Sequence, residues 1–142
     1  MAKENDARAV LVGPMRFDVT TGSGHTVALD VVAAEGGADS GPSPMELLLV
    51  ALAGCTGMDV ISILRKMRQQ VSGYEVQVHG ARAEKHPRVF TQITVEHIVT
   101  GHAVDEAAVR RAVELSESTY CGVSNTLNKT AEITTAITVR EG

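Results

Sequence analysis

The sequence predicts an α+β fold. Three observations carry it: alternating apolar and polar runs at both ends and in the middle of the chain, one long apolar helix with a marked start, and a second, shorter amphipathic helix. The predicted order, β-β-β-α-β-β-α-β, is not the regular alternation of a parallel α/β sheet. With 142 residues, the chain is long enough for a single domain, 1–142, with a full core. Its 44% apolar and 21% charged residues are those of a globular protein, not a disordered one.

The first third reads as strands. Arg8–Gly13 is apolar, Pro14 interrupts it, and Arg16–Thr20 and Thr26–Ala33 follow, separated by the turn cluster Thr21-Gly22-Ser23-Gly24. Glu35–Pro42 reads as a flexible loop. Ser43, Pro44 and Glu46 then stand at the N-cap, N1 and N3 positions of a capping box, so a helix is expected from Pro44 to about Gln70, stopped by Gly73. Its first half, Leu47–Met58, is apolar on every side, which calls for protein all around it and suggests a subunit partner. Tyr74–His79 and Phe90–Thr100 alternate as half-buried antiparallel strands. Asp105 caps a second helix running to about Thr119, Tyr120–Lys129 is a turn or short helix, and Ala131–Arg140 is the last strand.

Several function classes are disfavoured. The balance of 13 Lys+Arg against 17 Asp+Glu gives a net charge of −4, and aromatics make up 3% of the chain, so nucleic acid is not an expected partner. The charge-free run Leu47–Met58 is too short to span a bilayer, and the first residues carry acids rather than a signal sequence, so a cytoplasmic protein without membrane association is expected. His25, His79, His86, His97 and His102 have no metal-ligand spacing, although His79 and His97 could face each other across strands. No phosphate-loop pattern is present, and no cofactor or metal is expected.

Cys55 and Cys121 remain. They are far apart in sequence and form no CxxC pair. In a reducing compartment such cysteines are either packed core residues or reactive thiols. Cys55 lies about three turns into the helix, beyond the reach of its dipole, and Asp59 one turn later would raise a thiol pKa. Activation would need a cation from elsewhere, with Arg16, Arg88 and His25 as candidates. Cys121 follows the second helix, the wrong pole for a thiolate, unless Gly122–Leu127 opens a new helix and reverses the sign. Ser124 and Asn125 read as turn or cap residues, and Glu46 as part of the capping box.

Gly41-Pro42-Ser43-Pro44-Met45-Glu46-Leu47-Leu48-Leu49, then Ala53-Gly54-Cys55 on the same helix, then Tyr120-Cys121-Gly122-Val123-Ser124-Asn125, together resemble the OsmC/Ohr family of thiol-dependent hydroperoxide reductases. With Ser23-Gly24-His25, the likeness is to the branch of OsmC-like redox proteins. The resemblance implies an intertwined homodimer, with strands of both subunits wrapped around two central helices. It implies that Cys55 is the peroxide-attacking thiolate and Cys121 the resolving thiol, with Arg16 in the segment that supplies a catalytic arginine. The reductase branch locks that arginine with an acid ten residues before the first cysteine, and this chain carries Met45 there. An organic hydroperoxide would be the substrate, in oxidative stress defence, and an external thiol the reductant. Helix phase suggests an apolar substrate pocket from Leu48, Leu52 and Met58. The alternative is a non-catalytic OsmC-like dimer that binds a small ligand or senses redox state.

Overall fold

Residues 2–142 are described by a computed structural model and fall into two units, divided between Leu48 and Leu49. In the first, β1 (Ala7–Leu11), β2 (Phe17–Thr21) and β3 (Thr26–Leu29) form an antiparallel meander in that order. Val19 pairs with Ala9 on one side and Val27 on the other. The β2–β3 turn closes with Thr21 N–H donating to the His25 carbonyl at 2.8 Å, and Gly24 takes the positive φ of 89° that the turn requires. Strand β3 ends earlier than its β-type residues suggest, because Asp30 turns the chain. Asp30 is only 2% exposed, and its carboxylate accepts bonds from Val31 N–H, Ala38 N–H, Ser40 N–H and Ser40 Oγ–H. These bonds, that from the Ser40 hydroxyl first, hold its pKa down to about 2. The following segment, expected to be flexible, is thus tied to one buried carboxylate.

Helix α1 runs over Pro44–Lys66. The capping box forms as the sequence indicates: Glu46 N–H donates to Ser43 Oγ at 3.3 Å, and Ser43 N–H donates back to Glu46 Oε1 at 3.0 Å. The helix stops several residues before Gly73. Arg68 adopts a left-handed φ of 59°, while Arg68 N–H donates to Arg65 O and Gln69 N–H to Leu64 O. This is a Schellman ending with arginine where glycine is usual, so the sequence gives no signal for it.

In the second unit, β4 (Gln70–Arg82), β5 (Phe90–His102) and β6 (Glu132–Glu141) form a sheet in the order β4-β5-β6. β4 and β5 are antiparallel as expected, but β6 lies parallel to β5, so the sheets are not antiparallel throughout. The chain between them passes through α2 (Glu106–Leu115) and α3 (Gly122–Leu127), the helical crossover that parallel neighbours need. β4 continues through Gly80, beyond the expected strand end at His79. A Cβ there would lie 2.6 Å from the Phe90 ring, so only glycine lets strand and ring approach.

The central strand β5 turns Ile93, Val95, His97 and Val99 inward, each at most 3% exposed. Val60 and Leu64 of α1, Val99, and Val109, Ala112 and Val113 of α2 make one core cluster. Each large aliphatic side chain buried there contributes about 1.5–3 kcal/mol. By length and composition α1 could cross a membrane, which the short charge-free run did not suggest. The row Leu52, Thr56, Val60 and Leu64 is instead buried as the core helix of this unit.

Candidate thiol site

Cys55 sits in the middle of α1, half-buried, and Cys121 is fully buried. The 3.6-residue period places Asp59 on the same flank as Cys55, one turn further on. Cys121 is delivered by an irregularity. After Leu115 the chain widens into a π turn, Ser116–Tyr120, and Cys121 N–H donates to Ser116 O at 2.8 Å. The expected continuous helix to Thr119 is therefore interrupted, as often happens at functional sites. One ligand-type atom from each of Cys55, Asp59 and Cys121 lies within 4.8 Å of the other two.

The alternative left open at Cys121 is resolved by α3. Cys121 is its N-cap, and its sulfur accepts from Ser124 N–H at 3.3 Å, which favours the thiolate. Burial outweighs that bond, and with Cys55 and Asp59 beside it the thiol is pushed up to about 11. At neutral pH Cys121 is a protonated thiol. Asn125 proves structural, its Nδ2 donating to the carbonyls of Glu117 and Cys121.

A hydrogen-bonded support stands behind Asp59. Ser116 Oγ–H donates to Asp59 Oδ2 at 2.9 Å. Its proton being used, Ser116 accepts from Thr56 Oγ1–H, also at 2.9 Å. Thr56 also lines a cavity of about 10 Å³, room for a single water, together with His97, Glu117 and Ser124. His97 is fully buried; its Nδ1 lies 2.6 Å from Tyr74 Oη, and its Nε2 has no protein partner among the described residues. Burial lowers the His97 pKa to about 4 and raises that of Tyr74, the latter with help from the Asp59 charge.

The other sequence candidates make contacts within their own units. Arg16, in the first unit, donates Nε–H to Asp18 at 3.0 Å and reaches Ser40 at 3.4 Å. His25 Nδ1 lies 2.9 Å from Ser23 Oγ in the same unit. Arg88 lies in the β4–β5 connection, its carbonyl accepting from Arg82 Nε–H. His79 and His97 do not face each other: His79 pairs with Thr94 and His97 with Val76. Leu52 and Met58 do not share a pocket either, being 1% and 74% exposed on different sides of α1. A cleft of about 450 Å³ opens instead beside Asp59, lined by Ser62, Ile63, Lys66, Met67, Leu115 and Tyr120.

Sequence reasoning noticed Asp59 only as a hindrance and His97 only as a candidate neighbour of His79, and missed Thr56, Ser116 and Tyr74. Tyr74 and His97 lie on alternating strands in a way any core pair would. Ser116 sits inside a helical pattern, and only the widened turn aims it at α1.

These elements define a class: an α+β protein with a paired thiol and carboxylate between a long helix and the segment after a second one. A family model described as OsmC-like protein matches residues 36–136, and the chain belongs to that family. It is 43% identical to protein YhfA of Escherichia coli K12 over 128 residues, 90% of this chain and 92% of that protein. A crystal structure of a hypothetical protein from Aquifex aeolicus is 28% identical, superposes with a TM-score of 0.87 and covers 99% of both chains. An organic hydroperoxide resistance protein OsmC from Legionella pneumophila, at 14% identity, shares the fold with a TM-score of 0.73 over 97% of this chain and 98% of that one.

Proposed function

We propose that this protein is a thiol-dependent peroxidase that reduces organic hydroperoxides through Cys55 and Cys121, in oxidative stress defence. The observation that carries the reading is the meeting of a half-buried and a fully buried thiol from distant parts of the chain, within 4.8 Å. The Legionella protein of the same fold, described as an organic hydroperoxide resistance protein, supports the substrate class. The Cys55 thiolate attacks the distal peroxide oxygen, the O–O bond breaks, and the alkoxide takes a proton and leaves as alcohol. Cys121 then attacks the Cys55 sulfenic acid sulfur, its thiol proton leaves with the hydroxide as water, and a disulfide forms. Two electrons pass from the thiols to the peroxide, and an external dithiol returns them. Arg16 supplies the positive charge at Cys55 in this reading, and the cleft beside Asp59, with Ile63, Met67 and Leu115, takes the apolar tail.

One equivalent of cumene hydroperoxide should consume both thiols of the native protein, with an intact mass about two units lower. Cys55→Ser should abolish the reaction, and Arg16→Ala should slow it. Two intact thiols after peroxide would overturn the peroxidase reading and leave a ligand-binding or redox-sensing dimer, a reading that Met45 at the acid position favours.

We infer also that the working form is a homodimer in the cytoplasm. Val50 and Met58, 59% and 74% exposed, lie two turns apart along α1 and give it an apolar flank. Met58→Asp should weaken self-association by at least about a hundredfold, because a charge would be buried. Light scattering across a dilution series would check this, and an unchanged dimer would exclude that flank from the interface.

A further inference from the structure

We propose that the reduced protein binds one Zn²⁺ ion through Cys55, Asp59 and Cys121, and that this binding and the disulfide exclude each other. Spacing along the chain hides the site, because one pair of ligands is a helical i, i+4 pair and the third arrives from after α2. The folded chain brings the three donor atoms within 4.8 Å of one another. Tetrahedral Zn²⁺ with bonds of about 2.0–2.3 Å needs donors roughly 3.5–3.8 Å apart, which side-chain rotation can supply. Two thiolates and one carboxylate make a soft, borderline set suited to zinc rather than calcium or magnesium. Three protein ligands leave the fourth tetrahedral position to water.

A further observation points to a cation. Asp59 Oδ2 is held by Ser116, itself held by Thr56, the kind of outer hydrogen bond that orients a ligating carboxylate. Asp59 lines the open cleft, which gives the ion a way in.

Binding forms two Zn–S bonds and one Zn–O bond and releases the two thiol protons to buffer, with no electron transferred. A disulfide offers no thiolate, so oxidation ejects the ion. The site does not depend on peroxidase activity and holds equally for the non-catalytic reading.

The test is anaerobic titration of the fully reduced protein with Co²⁺, followed by its visible and near-ultraviolet spectrum and then displacement by Zn²⁺. The expected result is one equivalent bound, with tetrahedral visible bands and thiolate-to-metal charge transfer. Cys55→Ser and Cys121→Ser should each lose the charge-transfer intensity of one thiolate. Asp59→Asn should weaken affinity at least tenfold, and Ser116→Ala by about tenfold through misorientation of the carboxylate. Pre-oxidised protein should bind no Co²⁺. Circular dichroism and thermal melts of each metal-free variant identify any that fails to fold, and the wild-type spectrum stands without them. Absent charge transfer in wild type, or Asp59→Asn affinity equal to wild type, would overturn the proposal. Failure of the peroxide reaction alone would leave it standing.

Discussion

In Cys121→Ser, peroxide should still consume the Cys55 thiol, yet no disulfide should form. Cys55 would stop as a sulfenic acid and, under excess peroxide, proceed to the sulfinic acid. Steady-state turnover with a dithiol reductant should fall by at least about a hundredfold, because an internal thiol held beside its target acts at an effective concentration far above millimolar reductant. The expectation rests on burial: Cys121 is fully enclosed and protonated at neutral pH, whereas Cys55 is only half-buried. Intact mass spectrometry with a sulfenic-acid trap would detect the adduct on Cys55. Wild-type turnover in this variant would mean that resolution comes from an external thiol and that Cys121 only fills the core.

Acid should destabilise the protein in a window set by His97. Its pKa is about 6.5 in the unfolded chain and about 4 when buried. Above pH 6.5 both states are neutral and it adds no pH dependence. Below that, the unfolded chain takes up a proton that the native state refuses, so stability falls until the native ring itself protonates near pH 4. At 1.36 kcal/mol per unit, the loss amounts to roughly 3 kcal/mol. Glu117 works against it, since burial raises its pKa and the native state binds that proton more tightly. Asp30, held down to about 2, loses its contribution only at lower pH, below its ordinary 3.8. Urea denaturation at pH 7 and pH 4.5 should therefore show a steep loss in wild type and a clearly shallower one in His97→Gln. Equal slopes would assign the acid sensitivity to other groups.

Much of the fold is legible from the sequence because its signals are local. The capping box needs only Ser43 and Glu46, and the alternation of β5 needs only its own residues. The two cysteines stand out through a pattern spread over two helices. The parts that escape depend on partners distant in the chain. Arg68 ends α1 in a conformation usually left to glycine, and β4 then starts early because β5 is there to pair with it. β6 reads as a strand, but its direction is set by the helices that carry the chain back across the sheet. At the site, Cys55 and Asp59 are legible as a helical pair. Their meeting with Cys121, and the roles of Ser116 and Thr56, depend on a turn that a helical periodicity does not encode.

That turn has a consequence for how sequence change can act on this chain. Along an ordinary α-helix each residue advances the direction of its side chain by about 100°. The widened stretch Ser116–Tyr120 takes up the odd residue that would otherwise carry Cys121 past α1. A substitution there that let the same residues wind as regular helix would leave Val109, Ala112 and Val113 in their packing. The sulfur would swing away from Cys55 while the core stayed whole. Loss of thiol chemistry in such a descendant would then be a matter of angular phase, with both cysteines still present in its sequence.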